Sequence, residues 1–139
     1  MKKLSEAVLK ADFKKLVADV RPNWVVFSHQ AWTTNGLPDL SITTEKGTVW
    51  LEFKYANPSI EHTTSQDVNA CKLEGLAGNC YHVVYFDHRG VQMTFIVRPK
   101  DIFQRTFNPK NFADNGQRGF LYSFVGIQHH LVIRFLEEL

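Results

Sequence analysis

Asp39, Glu52 and Lys54 are the residues of this chain whose types and spacing could do chemistry together. The stretch Gly36-Leu37-Pro38-Asp39-Leu40 is followed, across a charged turn at Glu45-Lys46-Gly47, by Leu51-Glu52-Phe53-Lys54. Two carboxylates supply hard oxygen ligands of the kind that hold Mg2+ or Mn2+, with waters and a phosphate oxygen completing an octahedral shell. A lysine beside them adds the positive charge that phosphodiester hydrolysis needs as negative charge builds on the phosphoryl oxygens.

Such a set must be positioned, and the surrounding pattern reads as a β-hairpin. Strand side chains alternate faces. Leu40 and Ile42 therefore point one way and Asp39, Ser41 and Thr43 the other, while Val49, Leu51, Phe53 and Tyr55 share a face opposite Glu52 and Lys54. Each half has an ordinary reading too, the Pro-Asp pair as a turn opener and the Glu and Lys two apart as a solvated strand pair. The hairpin spacing is what brings them onto one face.

Pro38-Asp39 followed by Glu52-Phe53-Lys54 resembles the PD-(D/E)XK nuclease motif. Gly-Leu-Pro-Asp-Leu, then Leu-Glu-Phe-Lys, then Ser65-Gln66 opening a helix, is similar to the VRR-NUC and Holliday-junction-resolvase-like branch of that superfamily, over residues 5 to 97. The resemblance implies an α/β, restriction-endonuclease-like core, a mixed β-sheet flanked by helices, followed by a C-terminal extension over about 98–139. It implies a Mg2+-dependent endonuclease, with Mn2+ as substitute, hydrolysing DNA, with branched, flap or nicked DNA and ordinary duplex all open as substrates. Asp39 and Glu52 would be the metal ligands, with the Phe53 backbone carbonyl as a third. Lys54 would bind the attacking water and stabilise developing charge, and Gln66 would lie beside it. A helix-one glutamate reaches the metal in many relatives, and here that residue would be Glu6.

Residues 5 to 20 read as an amphipathic helix with Ser5 as cap, Leu9, Phe13, Leu16, Val17 and Val20 on one face, and a stop at Arg21-Pro22. At 100° per residue Glu6 lies within about 20° of Phe13. It either serves the helix N-terminus, where acidic residues are favoured, or reaches the carboxylates. Trp24 to Ser28 reads as a strand, and His29 to Asn35 as the loop into the motif. His29, Trp32 and Asn35 are thereby candidates for substrate contact, since an exposed indole can stack on an unpaired base; packing in the core is the other reading of Trp32. A second helix is expected from about Ser65 to Ala77, with Gln66 facing inward or bonding the helix's own first amides. His62, just before it, is a further candidate phosphate contact, as is Arg89 in the turn Asp87-His88-Arg89-Gly90.

Tyr81 to Phe86, apolar on both faces apart from His82, suits a strand in the middle of a sheet, and Val91 to Val97 a strand returning beside it. Beyond Arg98-Pro99 the pattern gives a short helix over Asp101 to Phe107, a loop to Gly119, and a strand over Phe120 to Val125. Ile127 to Leu139 fits a helix or a strand, because Ile127, Leu131, Phe135 and Leu139 repeat every four residues while His130, Val132 and Arg134 alternate. The pair His129-His130 lacks carboxylate companions and is a poor metal site.

At 139 residues and 44% hydrophobic content the chain is expected to form one domain with its own core. Two cysteines, Cys71 and Cys80, are too few for a disulfide framework. With no long apolar run and a Lys-rich start, a soluble, cytoplasmic protein is expected. A net charge of +2 is not that of a protein coating nucleic acid indiscriminately, although Arg98, Lys100, Arg105, Lys110 and Arg118 outnumber Asp101 and Asp114 in one stretch. HExxH, P-loop, Gly-x-Ser-x-Gly and dinucleotide fingerprints are missing, so no nucleotide cofactor is expected, and Ser41 and Ser65 have no evident base. DNA is the expected partner, and a homodimer would match the two strands of a duplex or junction. The rival readings are a catalytically silent nuclease-like module that binds or inhibits, in recombination or phage defence, and an RNA nuclease on the same site.

Overall fold

The hydroxyl of Ser5 accepts a hydrogen bond from the Val8 amide at 3.2 Å and starts the first helix, α1 (Glu6–Val20). Leu9, Phe13 and Val17 fall one turn apart on its inner face and are buried. The helix ends where Arg21 donates its amide to Val17, one residue before Pro22. The computed structural model describes residues 4–29, 38–57, 79–98 and 122–139. Among these residues the further elements are β1 (Val25–Ser28), β2 (Leu40–Thr44), β3 (Gly47–Ala56), β4 (Cys80–His88), β5 (Val91–Val97), β6 (Tyr122–Val125) and α2 (His129–Glu137).

The six strands form one mixed α/β sheet in the sequential order β1-β2-β3-β4-β5-β6. Among the described strands β3 and β4 run parallel and the other neighbours are antiparallel. The β2–β3 hairpin turns through Glu45-Lys46, with Thr44 opposite Gly47 and Leu40 opposite Leu51. The β4–β5 hairpin turns through Arg89 and Gly90, both left-handed at φ 50° and 78°, which matches the twist of the flanking strands. Asp87 and His88, read as part of that turn, extend β4 instead and pair with Gln92 and Val91.

The main core lies on one face of the sheet. Leu9, Phe13 and Val17 of α1 and Val132, Ile133, Phe135 and Leu136 of α2 pack on Leu40, Ile42, Leu51, Phe53, Val83, Tyr85 and Ile96. Phe13 stacks obliquely on Phe53 at 5.2 Å, and Phe53 lies parallel to Tyr85 at 6.0 Å. Removing a ring such as Phe13 would cost about 3–5 kcal/mol. The opposite face carries a smaller cluster, Ala56, Val84, Phe86, Phe95 and Val97.

The ambiguous C-terminal stretch is a helix, because Val132, Ile133, Phe135 and Leu136 face the same core as α1. So far as it is described, the stretch set apart as an extension completes the same sheet and core. His129 belongs to this packing: its Nδ1 is 2.8 Å from the Tyr85 hydroxyl, and burial lowers its pKa. The expected helices at 65–77 and 101–107, Cys71, and most of the basic stretch lie outside the described residues. Among the described residues no helix is long and apolar enough to cross a membrane.

Candidate functional site

Continued one residue past Leu40 opposite Leu51, the β2–β3 register sets Asp39 opposite Glu52. Side chains at such cross-strand positions point to the same face and come close. The Asp39 amide donates to Glu52 Oε1 at 3.0 Å, and Asp39 Oδ2 accepts from the Phe53 amide at 2.8 Å. A residue in an antiparallel ladder presents its N–H and C=O to the same neighbour. The Phe53 carbonyl therefore faces the side on which the Asp39 carboxylate lies.

Lys54 sits two residues beyond Glu52 on the same face, its ammonium 3.4 Å from Glu52 Oε2. Glu52 is 2% exposed and Lys54 3%, so these are buried charges and not a solvated strand pair. Glu6 joins them from the start of α1. Its carboxylate feels Asp39, Lys54 and Lys10, and the Tyr55 backbone amide is bonded to it. Beyond the end of β2, then, the edge of β3 is capped by side chains, Phe53 by Asp39 and Tyr55 by Glu6.

Lys10 is the member that the sequence reading missed. It follows Glu6 by one helical turn, and its ammonium is 3.4 Å from Asp39 Oδ1. The signal was present in the spacing: if Glu6 faces the carboxylates, a residue four later does too.

Burial and crowding raise the pKa of Glu52 and of Glu6. Burial is the largest cause for Glu52, with the Asp39 charge next; Lys54 opposes them, and a hydrogen bond that protonated Glu52 donates to the Asp39 carboxylate and the Glu6 charge add to the rise. The Glu52 carboxyl is pushed up from 4.5 to about 8. Glu6 is raised as well, chiefly by burial and then by Asp39. Three carboxyl groups, Glu6, Asp39 and Glu52, face two ammonium groups, Lys10 and Lys54; were all three ionised, one negative charge would be left over, which either a proton on Glu52 or a bound cation neutralises. The donors are hard oxygens, and a small divalent cation is what such a set accommodates. Among the described residues, however, no three His, Cys, Asp or Glu side chains are already gathered around one point. A cation here would rest on Asp39 and Glu52, with carbonyl and water oxygens making up its shell.

The other predicted contacts divide. His29 borders the centre: its amide donates to the Asp39 carbonyl at 2.8 Å, and its ring lies 5.1 Å from that of Trp50 at 30°. Its Nε2 is 3.0 Å from Ser41 Oγ, so Ser41 does have a histidine beside it. Ser41 is buried, and the contact holds the His29 ring in place. The pairing escaped the sequence because twelve residues separate the two and only the β1–β2 register joins them. Arg89 is not brought to the carboxylates; it lies five residues past Val84, the partner of Lys54, or roughly 17 Å along the strand. Gln66, Trp32, Asn35 and His62 lie outside the described residues. A cavity of about 290 Å3 opens at the other end of the β2–β3 hairpin, lined by Thr44, Lys46, Thr48, Asn79 and Leu136, and touches none of the carboxylates. No family model matches the chain, and no curated protein does.

Proposed function

We propose that this protein is a Mg2+-dependent endonuclease of the PD-(D/E)XK type, hydrolysing DNA phosphodiesters from a restriction-endonuclease-like core. One observation carries the reading: Asp39 and Glu52, from neighbouring strands, meet in a buried centre beside Lys54, where carboxyl groups outnumber ammonium groups and Glu52 holds a proton that a cation would displace. Asp39 and Glu52 would hold the cation, with the Phe53 carbonyl on the same side. When bound, the cation would supply Lewis acidity and lower the pKa of a water. Lys54 places a fixed positive charge where charge develops on the phosphoryl oxygens. The Phe53 and Tyr55 amides hold Asp39 and Glu6 in position, so little reorganisation is needed during the reaction. His29 and Trp50 form an aromatic border from which an unpaired base could be held, which favours substrates with unstacked nucleotides.

A second reading is a nuclease-like module that binds nucleic acid without cutting it. It is favoured by the fact that each oxygen of Asp39 and Glu52 already has a protein partner, from Phe53, Lys10, the Asp39 amide and Lys54. Purified protein incubated with plasmid and with branched DNA and RNA, with and without Mg2+ or Mn2+, separates the two. The nuclease reading expects metal-dependent cleavage that Asp39→Ala and Lys54→Ala abolish. Binding that survives both changes, with a parent that never cleaves, supports the module.

A further inference from the structure

We propose that the Lys10 ammonium competes with a divalent cation for Asp39 Oδ1, so that Lys10 sets the cation concentration at which the centre fills. The proposal rests on the reading of the centre as a cation site. Asp39 Oδ2 is committed to the Phe53 amide at 2.8 Å, which fixes the carboxylate and leaves Oδ1 as the oxygen that faces a ligand. Lys10 Nζ stands 3.4 Å from that oxygen.

The two lysines of the centre differ in what they can do next. Lys54 is 3% exposed and extends from the middle of β3, so its charge is part of the buried framework. Lys10 extends from the surface-facing edge of α1, and its side chain is 30% exposed. A four-carbon stem at that edge can withdraw its ammonium into water with little loss. A cation bound to Oδ1 at about 2.1 Å would come close to the ammonium, and two positive charges at that range in a partly buried place repel strongly. One of them must leave. Lys10 neutralises Asp39 when cation is scarce and withdraws when cation is plentiful, which makes it a counter-charge built into the helix one turn after Glu6.

Mn2+ binding to the full chain, followed through the resonance signal of free Mn2+ without nucleic acid, tests this directly. Lys10→Met keeps the stem and removes the charge, and is expected to tighten Mn2+ binding roughly tenfold or more. Lys10→Arg keeps the charge and is expected to bind as the parent does. A parent that binds Mn2+ while Lys10→Met binds equally or less tightly overturns the competition and leaves the cation site standing. Equal tightening in Lys10→Arg overturns it as well, since charge would not be the cause. Failure of both parent and Lys10→Met to bind Mn2+ overturns the cation site and this inference together.

Discussion

Asp39 gives its backbone N–H to Glu52 Oε1 over 3.0 Å, so the two acidic residues are tied through the main chain as well as set opposite one another. Like charges directly opposed across a sheet are destabilising. The fold tolerates this one by adding donors from Phe53, Lys10 and Lys54 and by holding Glu52 protonated over much of the neutral range.

The first prediction concerns pH. Glu52 is raised from 4.5 in the unfolded chain to about 8 in the fold, so between those values the folded protein binds the extra proton. Its contribution is fully present below 4.5 and is lost as pH climbs through about 8, amounting to at most about 5 kcal/mol. Thermal unfolding in chelator should therefore show stability declining from pH 5 to 9. Glu52→Gln should decline much less, and the difference between the two curves isolates Glu52 from His129, whose lowered pKa acts in the opposite sense. Parallel curves would contradict the crowding argument.

Asp39→Asn separates stability from activity. The amide oxygen still accepts from Phe53, while the charge facing Glu52 is gone. Without metal at pH 8 the variant should melt no lower than the parent. Its cleavage rate should fall at least about a hundredfold, as expected when a group acting on the transition state is lost. A variant that is unstable and active would reverse the assignment.

Tyr85→Phe tests whether the C-terminal helix is part of the framework. The change leaves His129 Nδ1 without its 2.8 Å partner in a packed place, and should cost about 1–3 kcal/mol by denaturant unfolding. Cleavage by the folded fraction should be unchanged, because no atom of this pair reaches the carboxylates.

Trp50→Ala addresses the substrate. If the ring beside His29 holds an unpaired base, binding of a single-stranded oligonucleotide by the inactive Asp39→Asn protein should weaken by about 1–3 kcal/mol. Blunt duplex should be affected far less, as fluorescence anisotropy can measure. Equal losses on both substrates would assign Trp50 to packing.

The hairpin was legible because alternation over Leu40–Ala56 sorts apolar from charged side chains cleanly, and Ser5, Arg21 and Pro22 mark the first helix. Other features leave little local trace. Lys10 looks like any solvated helix lysine until the facing strand is placed. His29 meets Ser41 and Trp50 only through strand register, and β1 is four residues long with three of them exposed, too little for a periodic signal. At the C-terminus a four-residue repeat and an alternation coincide, and packing against α1 decides for the helix. Nothing along the chain announces that β6 would pair with β5.

The most direct test is anomalous diffraction from crystals soaked in Mn2+. The account predicts one peak between Asp39 Oδ1 and Glu52, about 2.1 Å from each ligand oxygen, with the Lys54 ammonium facing it. An ordered Asp39–Glu52 pair with no peak beside it, or Mn2+ bound only elsewhere on the protein, would contradict it.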